Sequence, residues 1–175
     1  VKAVVQVTKQ AFAYVFDRLT ADPIWPIEER PVPSSDIPGE RTSPTQPFPS
    51  KPAPFDLQGL TVDDLIDFTP QLRAEAIEIA SQYRTGPIFT PPSLEGAADG
   101  PKGLIQSPGQ GGGSNWEGGA VDVESGVLYV ASVTRPIVRG LFNDREQSDM
   151  DFIDARWRLD GPQGLPLTKP PWGRV

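Results

Sequence analysis

Cysteine and histidine are both absent from this 175-residue chain. Without cysteine there is no disulfide, thiolate metal site or thiol nucleophile; without histidine the Ser-His-Asp triad and histidine-ligated zinc are excluded as well. Basic residues are the scarcer charge, 16 Lys and Arg against 23 Asp and Glu, for a net charge of −7. That balance argues against a phosphate-binding surface, so nucleic acid is not an expected partner. No apolar run approaches the ~20 residues of a membrane helix, so no transmembrane segment is expected. Residues 1–7 carry neither the basic region nor the cleavage site of a secretory signal. The missing cysteine is compatible with any redox compartment.

Proline and glycine are abundant, 21 and 17 residues, yet remain below the level typical of unpatterned low-complexity chains. Four Trp and eight Phe supply bulk apolar surface that requires a packed core. Residues 1–7 alternate with β-branched side chains at every second position and read as a strand. Phe12, Tyr14 and Phe16 alternate in the same way, so a second strand returns beside the first as a hairpin over 1–25. Prolines recur through 23–55. Because proline cannot donate to a β-ladder, this stretch is expected to run as an extended surface connection and not as paired strands. One helical region is expected near 61–84, with Thr61 and Thr69 as N-caps and Pro70 at the first helical position. Leu72, Ala76, Ile79 and Tyr83 form its apolar stripe, and Gly86 is its expected stop.

Residues 101–135 contain a glycine-dense loop over 109–119 and a second hairpin in which 127–133 alternates. No Gly-Lys-Ser/Thr follows the glycines and the next element is a strand, so phosphate-loop and dinucleotide readings fail on context. The acidic stretch 143–154 lacks the glycine and glutamate that a calcium-binding EF-hand loop requires, and reads as a solvated face. Residues 136–175 are expected to connect to a further unit.

The two turns at Asp17 and Asp122 share a spacing. Each follows a strand, runs Asp-x-x-Thr/Ser-Ala/Gly, and leads four residues on to a large apolar residue, Trp25 or Val130. A repeated strand-turn-strand signature is the mark of β-propeller blades. This repeat resembles the Trp-docking motif Ala-x-Asp-x-x-Thr-Gly-x-x-x-Trp of the pyrroloquinoline quinone (PQQ)-dependent quinoprotein dehydrogenases. Thr8-Lys9-Gln10, Ile27-Glu28-Glu29-Arg30-Pro31-Val32-Pro33, Ser43-Pro44-Thr45-Gln46-Pro47-Phe48, Phe89-Thr90-Pro91-Pro92-Ser93 and Asn115-Trp116-Glu117-Gly118-Gly119 are similar to the glucose dehydrogenase branch of that family.

The resemblance implies a mainly β fold: about two blades of an eight-bladed β-propeller, with residues 26–100 as a Pro-rich excursion and the remaining blades supplied by a longer parent chain. It implies an enzyme that oxidises a sugar or alcohol by hydride transfer to PQQ, passes electrons to a quinone or other acceptor, uses Ca²⁺ and works in the periplasm. The matching cofactor-binding residues are Lys9, whose ammonium suits the negative charge that develops on a quinone oxygen, Asn115, whose amide both donates and accepts, and Trp116 beside it. The family's catalytic aspartate and calcium ligands match no residue here, so no catalytic or metal-binding residue is assigned and the isolated chain is expected to be inactive. Ala11 and Ala21 stand where the family favours glycine, which implies altered turn geometry at both. The competing expectation from composition is a non-enzymatic β-rich binding module with a Pro-rich arm that docks a protein.

Overall fold

The computed structural model describes residues 2–95 and 100–175; Val1, the first residue of the expected opening strand, lies outside them. The chain is mainly β, in small sheets with one α-helix. Strands β1 (Ala3–Val7) and β2 (Ala13–Asp17) pair antiparallel with Val5 opposite Val15. A three-residue loop joins them: Thr8 N–H donates to Phe12 O (2.9 Å), Ala11 N–H donates to Thr8 O (3.0 Å), and Ala11 takes φ +65°. This is the hairpin form whose last loop residue must be left-handed.

The Asp17 and Asp122 turns are built alike. Asp17 Oδ1 accepts from Leu19 and Thr20 N–H, and Asp122 Oδ1 accepts from Glu124 and Ser125 N–H. The left-handed residue closing each is Ala21 (φ +64°) or Gly126 (φ +71°). The expectation that Ala11 and Ala21 alter the turns is therefore corrected. The side-chain and backbone hydrogen bonds over-determine the geometry, and the alanines bear the strain of about 1 kcal/mol each. Ala21 is exposed, so Ala21→Gly is expected to raise stability by up to ~1 kcal/mol in a urea titration; an unchanged or lower midpoint would show that the turn relaxes without strain.

The Pro-rich excursion holds a two-stranded ladder, which corrects the expectation of unpaired chain. Strands β3 (Ile27–Pro31) and β4 (Thr45–Pro49) run antiparallel. The reason is parity. Hydrogen bonds run at the pairs Val32 N–H to Pro44 O and Ser50 N–H to Pro26 O, which places Pro31, Pro47 and Pro49 at the alternate pairs, where the ladder asks for no N–H. The excursion is fastened to its own chain. Tyr14 Oη donates to Pro47 O (2.8 Å), Phe48 packs edge-on against Phe12 and Phe89 at centroid distances of 5.4 and 5.6 Å, Ile37 is buried, and Arg84 Nη2 meets Asp36 Oδ2 at 2.6 Å.

Helical structure falls where the caps predict. Thr61 and Asp64 form a capping box around a 3₁₀ turn, Val62–Asp64, and Thr69 Oγ1 accepts from Leu72 N–H (3.1 Å) at the start of α1 (Pro70–Ser81). The helix ends at Gln82, four residues before the expected glycine. Gln82 and Tyr83 N–H already turn back to Ile79 and Ala80 O in 3₁₀ fashion, while Gly86 O is taken by Leu60 N–H. Its buried face carries Ala76 and Ala80, flanked by Ile79 and Tyr83.

The largest sheet lies in the part expected to be a connection. Central strand β10 (Ile137–Phe142) pairs antiparallel with β11 (Ile153–Trp157) on one side. On the other it meets β5 (Ser93–Leu94, parallel) and β6 (Leu104–Gln106, antiparallel). The core gathers α1 against this sheet: Leu60, Leu65, Ile66, Ala76, Ile105, Val138 and Leu167. A short hairpin, β7 (Ala120–Asp122) with β8 (Val127–Tyr129), carries the Asp122 turn. The expected strand over 127–133 is interrupted, because β9 (Ser132–Val133) leaves the hairpin to pair with β12 (Gly173–Arg174).

Candidate functional site

Lys9 sits at the tip of the β1–β2 hairpin, and the three tip carbonyls are held by two other segments, the glycine loop and residues 55–58. Lys9 O accepts from Gly113 N–H (3.0 Å), Gln10 O from Gln58 Nε2 (2.6 Å) and Ala11 O from Phe55 N–H (3.1 Å). The glycine loop lies directly on this tip. A Cβ at Gly112, whose φ is +82°, would come 2.6 Å from Lys9 Cα, and one at Gly113 would come 3.0 Å from Ala11 Cβ. The glycines at 112 and 113 thus let the loop backbone approach the Lys9 backbone.

Lys9 and Gln10 border an open cleft of about 520 Å³. Its other walls come from the bend after α1 (Gly86–Thr90 and Pro92), from β6 and the Ser107–Gln110 segment, and from Arg139 and Arg156 of the large sheet. In the bend, Thr90 N–H and Oγ1 both donate to Pro87 O (3.1 and 2.6 Å), and Phe89 takes φ +68°. A turn of this kind favours glycine there. Phe89 is kept by its aromatic neighbours, stacked on Phe12 at 6.4 Å and edge-on to Phe48. Among the described residues no carboxylate lines the cleft, whereas three cations do.

Asn115 lies beyond the buried Gly113 and Ser114, where the loop emerges again; its C=O accepts from Gly118 N–H (3.1 Å). It borders a second depression of about 580 Å³, shared with Glu117, Ser132 and Arg135, and Gln110 borders both hollows. Trp116 is 87% exposed and lines neither. The glycine loop therefore separates Lys9 from Asn115, and Trp116 stands outside both hollows.

Arg139 and Arg156 were not legible as site residues. They lie directly opposite each other on β10 and β11. Asp154 joins them: its Oδ1 accepts from Arg139 Nε (3.2 Å) and Nη2 (2.9 Å), and its Oδ2 from Arg156 Nε. Burial pushes the Asp154 carboxyl up, but the hydrogen bonds and charges of the two guanidinium groups together outweigh it and hold the carboxyl below its ordinary value. The acidic loop faces solvent as expected, with Glu146, Asp149 and Asp151 exposed, while Arg145 Nη2 meets Asp151 (2.5 Å), Asp144 folds its carboxylate onto Glu146 and Gln147 N–H, and only Asp154 is drawn into the arginine pair. The β-branched Ile137-Val138 and the run Ile153–Trp157, separated by a polar loop, are the signal that marks this hairpin.

The chain thus combines small β-sheets, two Asp turns of like build and a cation-lined cleft beside the hairpin tip. The comparisons give the family. The pattern for "PQQ: Glucose/ethanol/alcohol dehydrogenase, beta-propeller domain" matches residues 1–175, and the chain belongs to this family. It is 37% identical over 169 residues to the glycerol dehydrogenase large subunit of Gluconobacter oxydans (strain 621H), covering 95% of this chain and 21% of that one. It is 35% identical over 148 residues to the quinoprotein glucose dehydrogenase of the same organism (81% and 16%). With the quinoprotein glucose dehydrogenase of Escherichia coli (strain K12) it shares 28% identity over 190 residues (93% and 22%). The chain spans about a fifth of the length of such relatives. No solved structure matches it. No helix among the described residues is long and apolar enough to cross a membrane.

Proposed function

We propose that this chain forms about two blades of an eight-bladed PQQ-dependent dehydrogenase that oxidises a sugar or alcohol in the periplasm, with Ca²⁺ and the catalytic base supplied by the rest of the protein. PQQ, when bound, would supply the two-electron acceptor for oxidation of a carbinol carbon, with a quinone or other acceptor downstream. The observation that carries this reading is the immobilised hairpin tip that presents Lys9 to a cleft lined, among the described residues, by cations and by no carboxylate. An acidic protein that keeps one cleft positive is suited to a ligand that is anionic and gains negative charge. The residues fit the cofactor in this respect.

Lys9 would hold a quinone oxygen through its ammonium, and the fixed tip backbone limits how far that charge wanders. Asn115 borders the second hollow and Trp116 neither, so this reading rests on Lys9 and gives those two no contact in the Lys9 cleft. The Pro-rich arm proposed for a binding module is engaged by Tyr14, Phe12, Phe89 and Arg84, which favours the enzyme.

The test reconstitutes the protein that carries this chain with PQQ and Ca²⁺ and follows dye-linked oxidation of glycerol and glucose. Lys9→Ala is expected to lower kcat by roughly 10²–10³-fold, as loss of a single charge-stabilising donor does elsewhere. A reconstituted protein that oxidises neither compound, or a Lys9→Ala variant with unaltered kcat, would refute the reading.

A further inference from the structure

We propose that the Arg139–Arg156 pair receives the carboxylate of an anionic substrate, so that the cleft selects a hydroxy acid over a neutral polyol; this rests on the dehydrogenase reading above. Like charges placed directly opposite each other in an antiparallel pair destabilise the sheet, and Arg139 and Arg156 occupy such a pair. A sheet held only for stability gains nothing from this arrangement. Asp154 neutralises just one of the two charges. It occupies Nε and Nη2 of Arg139 but only Nε of Arg156, whose two terminal nitrogens have no partner among the described residues. The pair thus carries a net positive charge and unused donors at the wall of the cleft.

The surroundings match the same ligand. The cleft's volume of about 520 Å³ suits a small molecule. The neutral polar residues Thr90, Gln106, Ser107 and Gln110 also line it; Thr90 Oγ1, Ser107 Oγ and Gln106 Nε2 already donate to backbone carbonyls, which leaves the Gln110 amide to meet a hydroxyl group of such a substrate. The planar guanidinium fork fits a carboxylate in two-point fashion, which an ammonium does not. Lys9, on the hairpin tip, is a separate cation and remains available for the quinone. The β10–β11 register fixes the backbones of both arginines in the wall.

The experiment compares glycerol with glycerate, which differ by a CH₂OH against a carboxylate. In the PQQ- and Ca²⁺-loaded protein that carries this chain, kcat/KM is measured for both with wild type, Arg156→Gln and, as a control in the loop outside the cleft, Arg145→Gln. Glycerate is also titrated calorimetrically. Arg156→Gln is expected to lower the glycerate-to-glycerol ratio of kcat/KM by roughly tenfold or more, and glycerate affinity by a similar factor; Arg145→Gln is expected to shift neither. An Arg156→Gln protein with unchanged ratio and glycerate affinity, or a wild type that binds no glycerate, would overturn the assignment. A fall in PQQ affinity with an unchanged ratio would give the pair to the cofactor's carboxylates and overturn it equally. Absence of turnover with every substrate would defeat only the dehydrogenase reading, because the glycerate titration still decides the pair.

Discussion

Replacing Arg174 with methionine is expected to lower the unfolding free energy by about 3 kcal/mol, the range seen when one partner of a buried ion pair is removed. Asp56 explains the size. Its side chain is 1% exposed, and its Oδ1 accepts from Arg174 Nη1, Thr134 Oγ1 and the Leu57 N–H at 2.7 Å. Its Oδ2 has no partner among the described residues. The carboxylate is therefore under-satisfied even with Arg174 in place, and without it a negative charge is left in a site water does not reach. Arg174 itself is 32% exposed, so Asp56→Asn leaves a cation that can hydrate and should cost less than Arg174→Met. Urea denaturation of both single variants and the double variant reads this asymmetry. A loss below about 0.5 kcal/mol for Arg174→Met, the level of an ordinary surface substitution, would show that the pair contributes nothing.

Gly112→Ala is expected to cost about 2–4 kcal/mol and to depress oxidation more than tenfold. Two penalties meet at one atom. The φ of +82° disfavours any Cβ by roughly 1–2 kcal/mol, and the new methyl would lie 2.6 Å from Lys9 Cα, a backbone atom that cannot rotate aside. Overpacking of this kind typically adds a further 1–3 kcal/mol. Because Gly113 N–H holds Lys9 O, any shift of the loop also moves Lys9, the residue proposed above to address the quinone. Gly111 supplies the control: a Cβ there meets nothing within 4 Å, so Gly111→Ala should stay within about 0.5 kcal/mol of wild type. Equal melting and activity for the two alanine variants would dissociate the loop from Lys9.

Local chemistry was legible in the sequence to the extent that it was local. Thr61 with Asp64, and Thr69 with Pro70, announce their helix starts because a cap needs only three or four neighbouring residues. The Asp17 and Asp122 turns were readable for the same reason. The placement of Gly112 on Lys9 was not, because the contact joins positions about a hundred residues apart through a hairpin tip whose carbonyls answer to two separate segments. Pairing of β3 with β4 was missed because a proline excludes a ladder only at positions that owe it a donor, and that parity depends on the register. The β10–β11 hairpin was hidden by its loop, whose carboxylates drew attention away from the alternating residues on either side. Arg139 and Arg156 acquire meaning only once register sets them face to face.

The proline parity of the β3–β4 ribbon has an effect beyond permitting the ladder. Nitrogens at the alternate pairs point away from the partner strand, toward whatever might approach from outside, and at Pro31, Pro47 and Pro49 they carry no hydrogen. The outer side of β4 in particular offers carbonyls with almost no amide protons, so a second copy of the chain finds only half of the bonding pattern that strand addition requires. The same residues that leave the ribbon intact thus make it a poor template for intermolecular β-pairing while the protein folds.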